Sequence, residues 1–150
     1  MLRLSKKVEY ALIALMDLAQ KDNIEPVTAK YLAGTYNIPQ ELLGKVLQTL
    51  TRNEILISVQ GVKGGYILGK SPDKISLSII IESLEGPISM TSCNHSETER
   101  CGCDLLTTCT IKSPMEVIQN ELSKYFKNIS LKDLKTNYNN QVSQPVQITV

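Results

Sequence analysis

The sequence predicts a mainly α chain with one small β-hairpin: a winged helix-turn-helix, then a polar loop, then a long C-terminal helix. Three observations predict it. Three successive segments carry apolar residues at helical spacing, a β-branched run folds back at a glycine-rich corner, and all four cysteines fall in one 17-residue window.

From Ser5 to Lys21, Val8, Ala11, Leu12, Leu15, Leu18 and Ala19 recur on one helical face, and Asp22-Asn23 with Glu25-Pro26 end that helix. Thr28 is placed to cap a short second helix carrying Ala29, Tyr31, Leu32 and Ala33, closed by a turn at Gly34-Thr35-Tyr36-Asn37. Pro39 suits the first turn of a third helix, because its missing N–H has no helical partner there. Leu42, Leu43, Val46, Leu47 and Leu50 continue that helix. Ile55-Leu56-Ile57-Ser58-Val59 and Tyr66-Ile67-Leu68 flank Gln60-Gly61-Val62-Lys63-Gly64-Gly65, which reads as a two-stranded hairpin. Residues 1–70 therefore form a winged helix-turn-helix domain, whose third helix can enter the DNA major groove while the hairpin touches backbone or minor groove.

Ser76 caps a fourth, connecting helix within residues 71–90, through Leu77, Ile79, Ile80, Ile81 and Leu84 to Gly86-Pro87. Residues 91–112 are polar, hold every cysteine and show no sustained period. They read as a loop that orders on binding something. Ser113-Pro114-Met115-Glu116 has the cap, first-turn proline and acid of a helix start, with Met115, Ile118, Leu122, Tyr125 and Phe126 facing inward. Ser130-Leu131-Lys132-Asp133 adds one or two turns, stapled by Ile129 and Leu134, so helical structure spans 113–135. The Asn/Gln-rich remainder, 136–150, has too little apolar matter to pack and reads as a flexible tail.

The 150 residues are 42% hydrophobic and 21% charged, as expected of one globular domain or a domain with an arm. The longest apolar run, Ala11 to Met16, is far short of the roughly 20 residues that cross a bilayer, and the N-terminus lacks a signal-peptide h-region. The expectation is a soluble, cytoplasmic chain with no membrane partner. Net charge is only +1, but residues 1–70 carry +3 and residues 71–150 carry −2, so an anionic ligand belongs with the N-terminal half. Cys93, Cys101, Cys103 and Cys109, in a reducing compartment, point to a metal or redox role rather than a disulfide framework. An enzyme such as a thiol oxidoreductase is disfavoured, because there is no Cys-x-x-Cys pair, no Walker loop and only one histidine.

On the third helix, Gln40, Lys45 and Gln48 fall outside the apolar stripe, and Glu41, Thr49 and Arg52 accompany them. Glutamine bonds adenine edges bidentately and lysine reaches guanine or phosphate. Thr28 and Lys30 sit where a helix N-terminus meets phosphate, and Gln60, Lys63, Gly64 and Gly65 mark the wing. The bland alternative is a solvated face, with Gly64 and Gly65 serving turn geometry at positive φ. Tyr10, Tyr31 and Tyr66 read as packing at the core or its edge rather than as base-stacking groups.

The start Leu2-Arg3-Leu4-Ser5-Lys6 leading into Glu9-Tyr10-Ala11-Leu12, the wing Gly61 to Leu68, the segment Glu85-Gly86-Pro87-Ile88 and the loop end Cys103-Asp104-Leu105-Leu106-Thr107-Thr108-Cys109 occur in characteristic order. In this, residues 1 to about 135 resemble the Rrf-type winged-helix regulators, the bacterial family that includes IscR, NsrR and SufR-like repressors. The resemblance implies a homodimeric regulator of promoter operators in double-stranded DNA, with residues 114–128 forming most of the dimer interface. It also implies an iron-sulfur cluster, [2Fe-2S] or [4Fe-4S], held by three cysteines and one further ligand. The wing arginine of IscR-like members is replaced here by Gln60, which implies a different sequence preference.

The cysteine spacing is Cys-x7-Cys-x-Cys-x5-Cys. Matching the family's final interval assigns Cys93, Cys103 and Cys109 as ligands and leaves Cys101 extra; Cys93, Cys101 and Cys109 at equal intervals is the alternative set. IscR-like members place a histidine three residues after the last cysteine. Here that residue is Lys112, a cation with no lone pair to give. NsrR-like members use an acid of the partner's first helix, and the matching residue is Glu9, with Cys101 as its competitor. Zinc, with His95 as a candidate ligand, and a metal-free thiol or disulfide switch are the other readings of the loop. A winged helix that binds protein instead of DNA is a further alternative for the fold.

Overall fold

The computed structural model describes residues 3–22, 25–91 and 108–142, with side chains as far as residue 140. Its first helix, α1 (Lys6–Gln20), begins where Ser5 Oγ accepts the N–H of Val8 at 3.4 Å, and it buries Val8, Ala11, Ala14, Leu15, Leu18 and Ala19. Thr28 Oγ1 accepts the N–H of Tyr31 at 3.1 Å and so starts α2 (Ala29–Tyr36), as expected. The turn expected at Gly34 to Asn37 is a correction: the helix continues through Tyr36, and only Asn37 leaves it, in the left-handed conformation with φ 51°. One glycine costs a helix little, whereas an asparagine that readily takes the left-handed turn ends it.

Pro39 immediately precedes α3 (Gln40–Arg52), which buries Leu43, Val46, Leu47 and Leu50 between α1 and α2. The hairpin pairs β1 (Leu56–Val59) with antiparallel β2 (Gly65–Leu68), Leu56 opposite Leu68 and Val59 opposite Gly65. Val27 adds one rung to it: its N–H donates to Tyr66 O at 3.0 Å and its carbonyl accepts from Tyr66 N at 2.8 Å. The residue before the α2 cap is thereby fixed to the wing.

After a single 3₁₀ turn (Pro72–Lys74), Ser76 Oγ accepts the N–H of Ile79 at 3.3 Å and starts α4 (Leu77–Glu85), which Gly86 ends. The next described helix, α5 (Lys112–Asn128), begins earlier than expected and corrects the reading of Ser113 as its cap. Ile111 precedes it, no side chain caps it, and Ser113 and Pro114 lie inside the first turn. Proline is tolerated there because the first four N–H groups of a helix lack partners. The inward set is also corrected. Met115, Leu122 and Phe126 are half-buried, but Ile118 and Tyr125 are 51% and 61% exposed, and α5 buries no residue fully.

The expected short last helix and the first part of the tail, 136–142, are corrected as well, because α6 (Leu131–Val142) runs for 12 residues, and 143–150 lie outside the described residues. Its start is a reciprocal cap. Asp133 Oδ2 accepts from Ser130 N at 2.8 Å and from Ser130 Oγ at 2.6 Å, while Ser130 Oγ accepts from Asp133 N at 3.2 Å. Both donations from Ser130 hold the Asp133 carboxyl below the usual range. Leu131 is fully buried, and its N–H donates to Ile75 O at 2.8 Å while Leu77 N donates to Ile129 O at 2.8 Å. Lys135 Nζ donates to Ala19 O at 2.7 Å and to Asp22 Oδ1 at 2.8 Å. Helical structure over 113–135 is thus two helices. The second returns to the winged domain, whereas α5 packs mainly on α4 and accepts the N–H of Met90 at Gln119 Oε1, 3.0 Å away.

Candidate nucleic-acid interface

The stripe that buries Leu43, Val46, Leu47 and Leu50 turns the opposite face of α3 to solvent. On that face Gln40, Glu41, Lys45, Gln48 and Arg52 are all exposed. Lys45 Nζ donates to Glu41 Oε1 at 3.0 Å, a pair so exposed that it leaves both groups free to take other partners. Thr49 and Thr51 donate their hydroxyls to Lys45 O at 3.0 Å and Leu47 O at 2.8 Å, so they are satisfied inside the helix.

At the start of α2, Thr28 and Lys30 are exposed, with Thr28 Oγ1 already capping the helix. Gln60 and Lys63 are exposed on the wing, and Gly64 and Gly65 are half-buried. The wing glycines are fixed by close approach more than by turn dihedrals. A Cβ on Gly64 would lie 2.5 Å from Val59 O, and one on Gly65 would lie 2.7 Å from the Val27 carbonyl. Positive φ is found at Gly61 and Gly65 and not at Gly64, which corrects that part of the turn reading. All ten residues expected to face DNA therefore fall on α3, the α2 start and the wing, with Val27–Tyr66 joining the last two.

Sequence reasoning passed over Val62, which stands fully exposed at the wing tip. It also missed a polar knot behind the interface. Asp17 is buried in the apolar face of α1, where it accepts from Tyr36 Oη at 2.8 Å and from Lys21 Nζ at 2.8 Å. Lys21 lies 3.8 Å from the centre of the Tyr31 ring, so Tyr31 is a cation-π partner that stays 46% exposed. Burial and the Asp17 hydrogen bond push Tyr36 up to about 12. Burial alone would lower Lys21, but its bonds to Asp17 and Tyr31 outweigh that and raise it. The signal was legible: an aspartate between Met16 and Leu18 on an otherwise apolar face must have partners. Tyr10 and Tyr66 pack against the core as expected.

Of the expected cluster ligands, Glu9 lies in the first turn of α1, ion-paired with Lys6, with its side chain 35% exposed. Cys109 is half-buried just before α5, whose first residue is Lys112. Cys93, His95, Cys101 and Cys103 lie outside the described residues. Among the described residues no three His, Cys, Asp or Glu side chains gather as a metal site, and no helix is long and apolar enough to cross a membrane.

Comparisons with known proteins agree on this architecture. A putative HTH-type transcriptional regulator of Aquifex aeolicus is 32% identical over 131 residues, covering 87% of this chain and 89% of that protein. The HTH-type transcriptional regulator NsrR of Oceanobacillus iheyensis is 32% identical over 139 residues, with 91% of each chain covered. The solved structure of T. potens IscR superposes with a TM-score of 0.74 at 26% identity, covering 96% of this chain and 94% of that one. The structure of CymR, the global cysteine regulator of B. subtilis, gives 0.73 at 29% identity, covering 91% and 98%. Residues 4–137 match the Rrf2 family, described as iron-dependent transcriptional regulators, and the chain belongs to that family of DNA-binding winged-helix regulators rather than to an enzyme family.

Proposed function

We propose that the chain acts as a homodimer that binds operator DNA and reports iron-sulfur status, redox state or nitric oxide through its cysteine loop. The observation that carries the dimer is α5, a 17-residue helix that buries nothing fully and leaves Val117 and Tyr125 61% exposed and Ile118 51% exposed. A second copy laid along that face would remove these side chains from water, at about 25 cal/mol per Å² of apolar area. The two α3 helices of such a dimer would meet successive major grooves, Gln40, Lys45 and Gln48 toward base edges and Thr28, Lys30, Arg52 and Lys63 toward phosphate. Gln60, Gly64 and Gly65 would bring the wing backbone to the duplex.

Cys93, Cys103 and Cys109, with Glu9 contributed by the partner subunit, are the proposed ligands of an iron-sulfur cluster, and Cys101 is the rival fourth donor. The donor chemistry suits the group: soft thiolates hold iron-sulfur clusters, and a carboxylate oxygen is a weaker ligand that leaves one iron open to exchange. A bound cluster would supply an iron centre that reacts with oxidant or nitric oxide. The chain's own part is to place Cys109 at the start of α5 and Glu9 at the start of α1, so that loop, dimer helix and DNA-binding domain share one attachment.

The similarity to CymR, a cysteine regulator of B. subtilis that is 36% identical over 88 residues, favours a second reading in which the thiols switch without metal. Purification under nitrogen, with an absorption spectrum and iron, sulfide and zinc analysis of wild type and Glu9→Ala, separates them. Visible charge-transfer bands with matched iron and sulfide, altered in Glu9→Ala, support the cluster. A colourless chain after anaerobic reconstitution supports zinc or a thiol switch.

A further inference from the structure

A cavity of about 530 Å³ lies where the residues before α1, helix α4, the segment after it and α5 meet. Its walls are largely apolar, with Leu4, Leu77, Ile81 and Phe126 among them. The segment after α4 forms one side and is held at both ends: Gly86 N–H donates to Glu82 O at 3.0 Å, and Met90 N–H donates to Gln119 Oε1 at 3.0 Å. The recess is therefore framed by the fold, and it has the size of a small-molecule site. Two side chains of opposite charge, Arg3 and Glu85, line the same cavity. Both are exposed, and no hydrogen bond or ion pair joins either one to the other or to any other described residue. An apolar hollow bordered by a free guanidinium and a free carboxylate is complementary to a molecule with an apolar body and both charges of its own.

We propose that this cavity binds a small apolar zwitterion, an α-amino acid or a dipeptide with large apolar side chains. The ligand carboxylate would accept N–H bonds from Arg3, whose planar fork fits a carboxylate, and its ammonium would donate to Glu85. Its apolar side chain would leave water among Leu77, Ile81 and Phe126. A simple apolar acid would leave Glu85 unmatched beside a second negative charge, and a simple amine would do the same to Arg3. Leu77 and Ile81 belong to α4 and Phe126 to α5, so an occupant would brace the two helices against each other. The regulator would thereby gain a small-molecule input separate from its cysteine loop. Neither DNA nor a cluster is needed for the binding itself.

The test is calorimetric titration of the full chain, purified under nitrogen, with L-phenylalanine, L-leucine and leucyl-phenylalanine. At least one of them should bind with a Kd below about 1 mM. Binding of the amino acids alone or of the dipeptide alone assigns the source of the zwitterion. Phenethylamine and hydrocinnamate, which keep the ring of phenylalanine and each lack one charge, should bind about tenfold more weakly or not at all. Arg3→Gln and Glu85→Gln change exposed side chains, so both variants should keep the wild-type unfolding midpoint without ligand. Each should weaken zwitterion binding about tenfold or more. Hydrogen exchange in α4 and α5 of the wild type should slow when the ligand is present. A chain that binds none of the three overturns the proposal, as it would if a second copy filled the cavity in solution. Binding unchanged in either variant, or singly charged analogues that bind as tightly as the zwitterions, would overturn it as well.

Discussion

Asp17 shows how one side chain can support an interface it never touches. Its carboxylate is buried in α1 yet satisfied by Tyr36 of α2 and by Lys21, whose ammonium in turn covers Tyr31. Removing the Tyr36 hydroxyl leaves a buried carboxylate one donor short, so Tyr36→Phe should cost about 2 kcal/mol in urea unfolding. The pH dependence has a definite sign. Tyr36 is raised from 10.0 to about 12 in the folded chain, so the folded state keeps a proton that the unfolded chain gives up. Its contribution is complete below pH 10 and is lost as pH rises from 10 toward 12. Stability should therefore fall less steeply across that interval in Tyr36→Phe than in wild type, and equal slopes would show that burial and Asp17 do not raise Tyr36. Gly65 makes a second case at this scale. A methyl there would lie 2.7 Å from the Val27 carbonyl, so Gly65→Ala should cost roughly 1–3 kcal/mol and loosen the wing from the α2 start. DNA affinity unchanged by that substitution would show that the wing plays no part in recognition.

Helix α6 decides which segments move together. Leu131 lies in the winged-domain core, the Ile75–Leu131 and Leu77–Ile129 hydrogen bonds join the starts of α4 and α6, and Lys135 reaches the end of α1. Leu131→Ala should destabilise the whole domain by about 2–5 kcal/mol. Lys135→Met should cost only about 1 kcal/mol, because its ion pair with Asp22 is exposed, and should appear as faster hydrogen exchange confined to α6. Helix α5, by contrast, is held mainly from one side, and Ile118→Asp with Tyr125→Asp should convert a dimer into a folded monomer by sedimentation. A dimer that survives both changes would place the interface elsewhere. The elements most legible in the sequence were those with local start signals, the caps Thr28 and Ser76 and the paired β-branched runs of the wing. Ser113 misled because Pro114 is tolerated anywhere in a first turn, so the motif does not locate the boundary. The extent of α6 was hidden because Asn137 to Val142 have poor helix propensity; Leu131, the Ser130–Asp133 cap and Lys135 start and anchor that helix. The exposed face of α3 was legible as polar positions opposite an apolar stripe.

At the scale of the whole molecule, the winged domain comprises α1 to α4 together with α6, and α5 stands in the chain between two of its helices, α4 and α6. Where the chain returns from α5, the start of α6 lies beside the start of α4, at Ser130 and Ser76. In the proposed dimer, a change in the loop would be conveyed to α5 and so to the relative placement of two winged domains. With net charge near zero, DNA affinity must come from the local cations of α2, α3 and the wing, so binding should weaken steeply as salt rises. The most direct test is the affinity of cluster-loaded and apo protein for one enriched duplex, measured anaerobically at a single salt concentration. The account predicts affinities that differ by at least about tenfold, within the usual range of coupling between two sites. Equal affinities would contradict it, leaving a regulator whose cysteine loop does not control its hold on DNA.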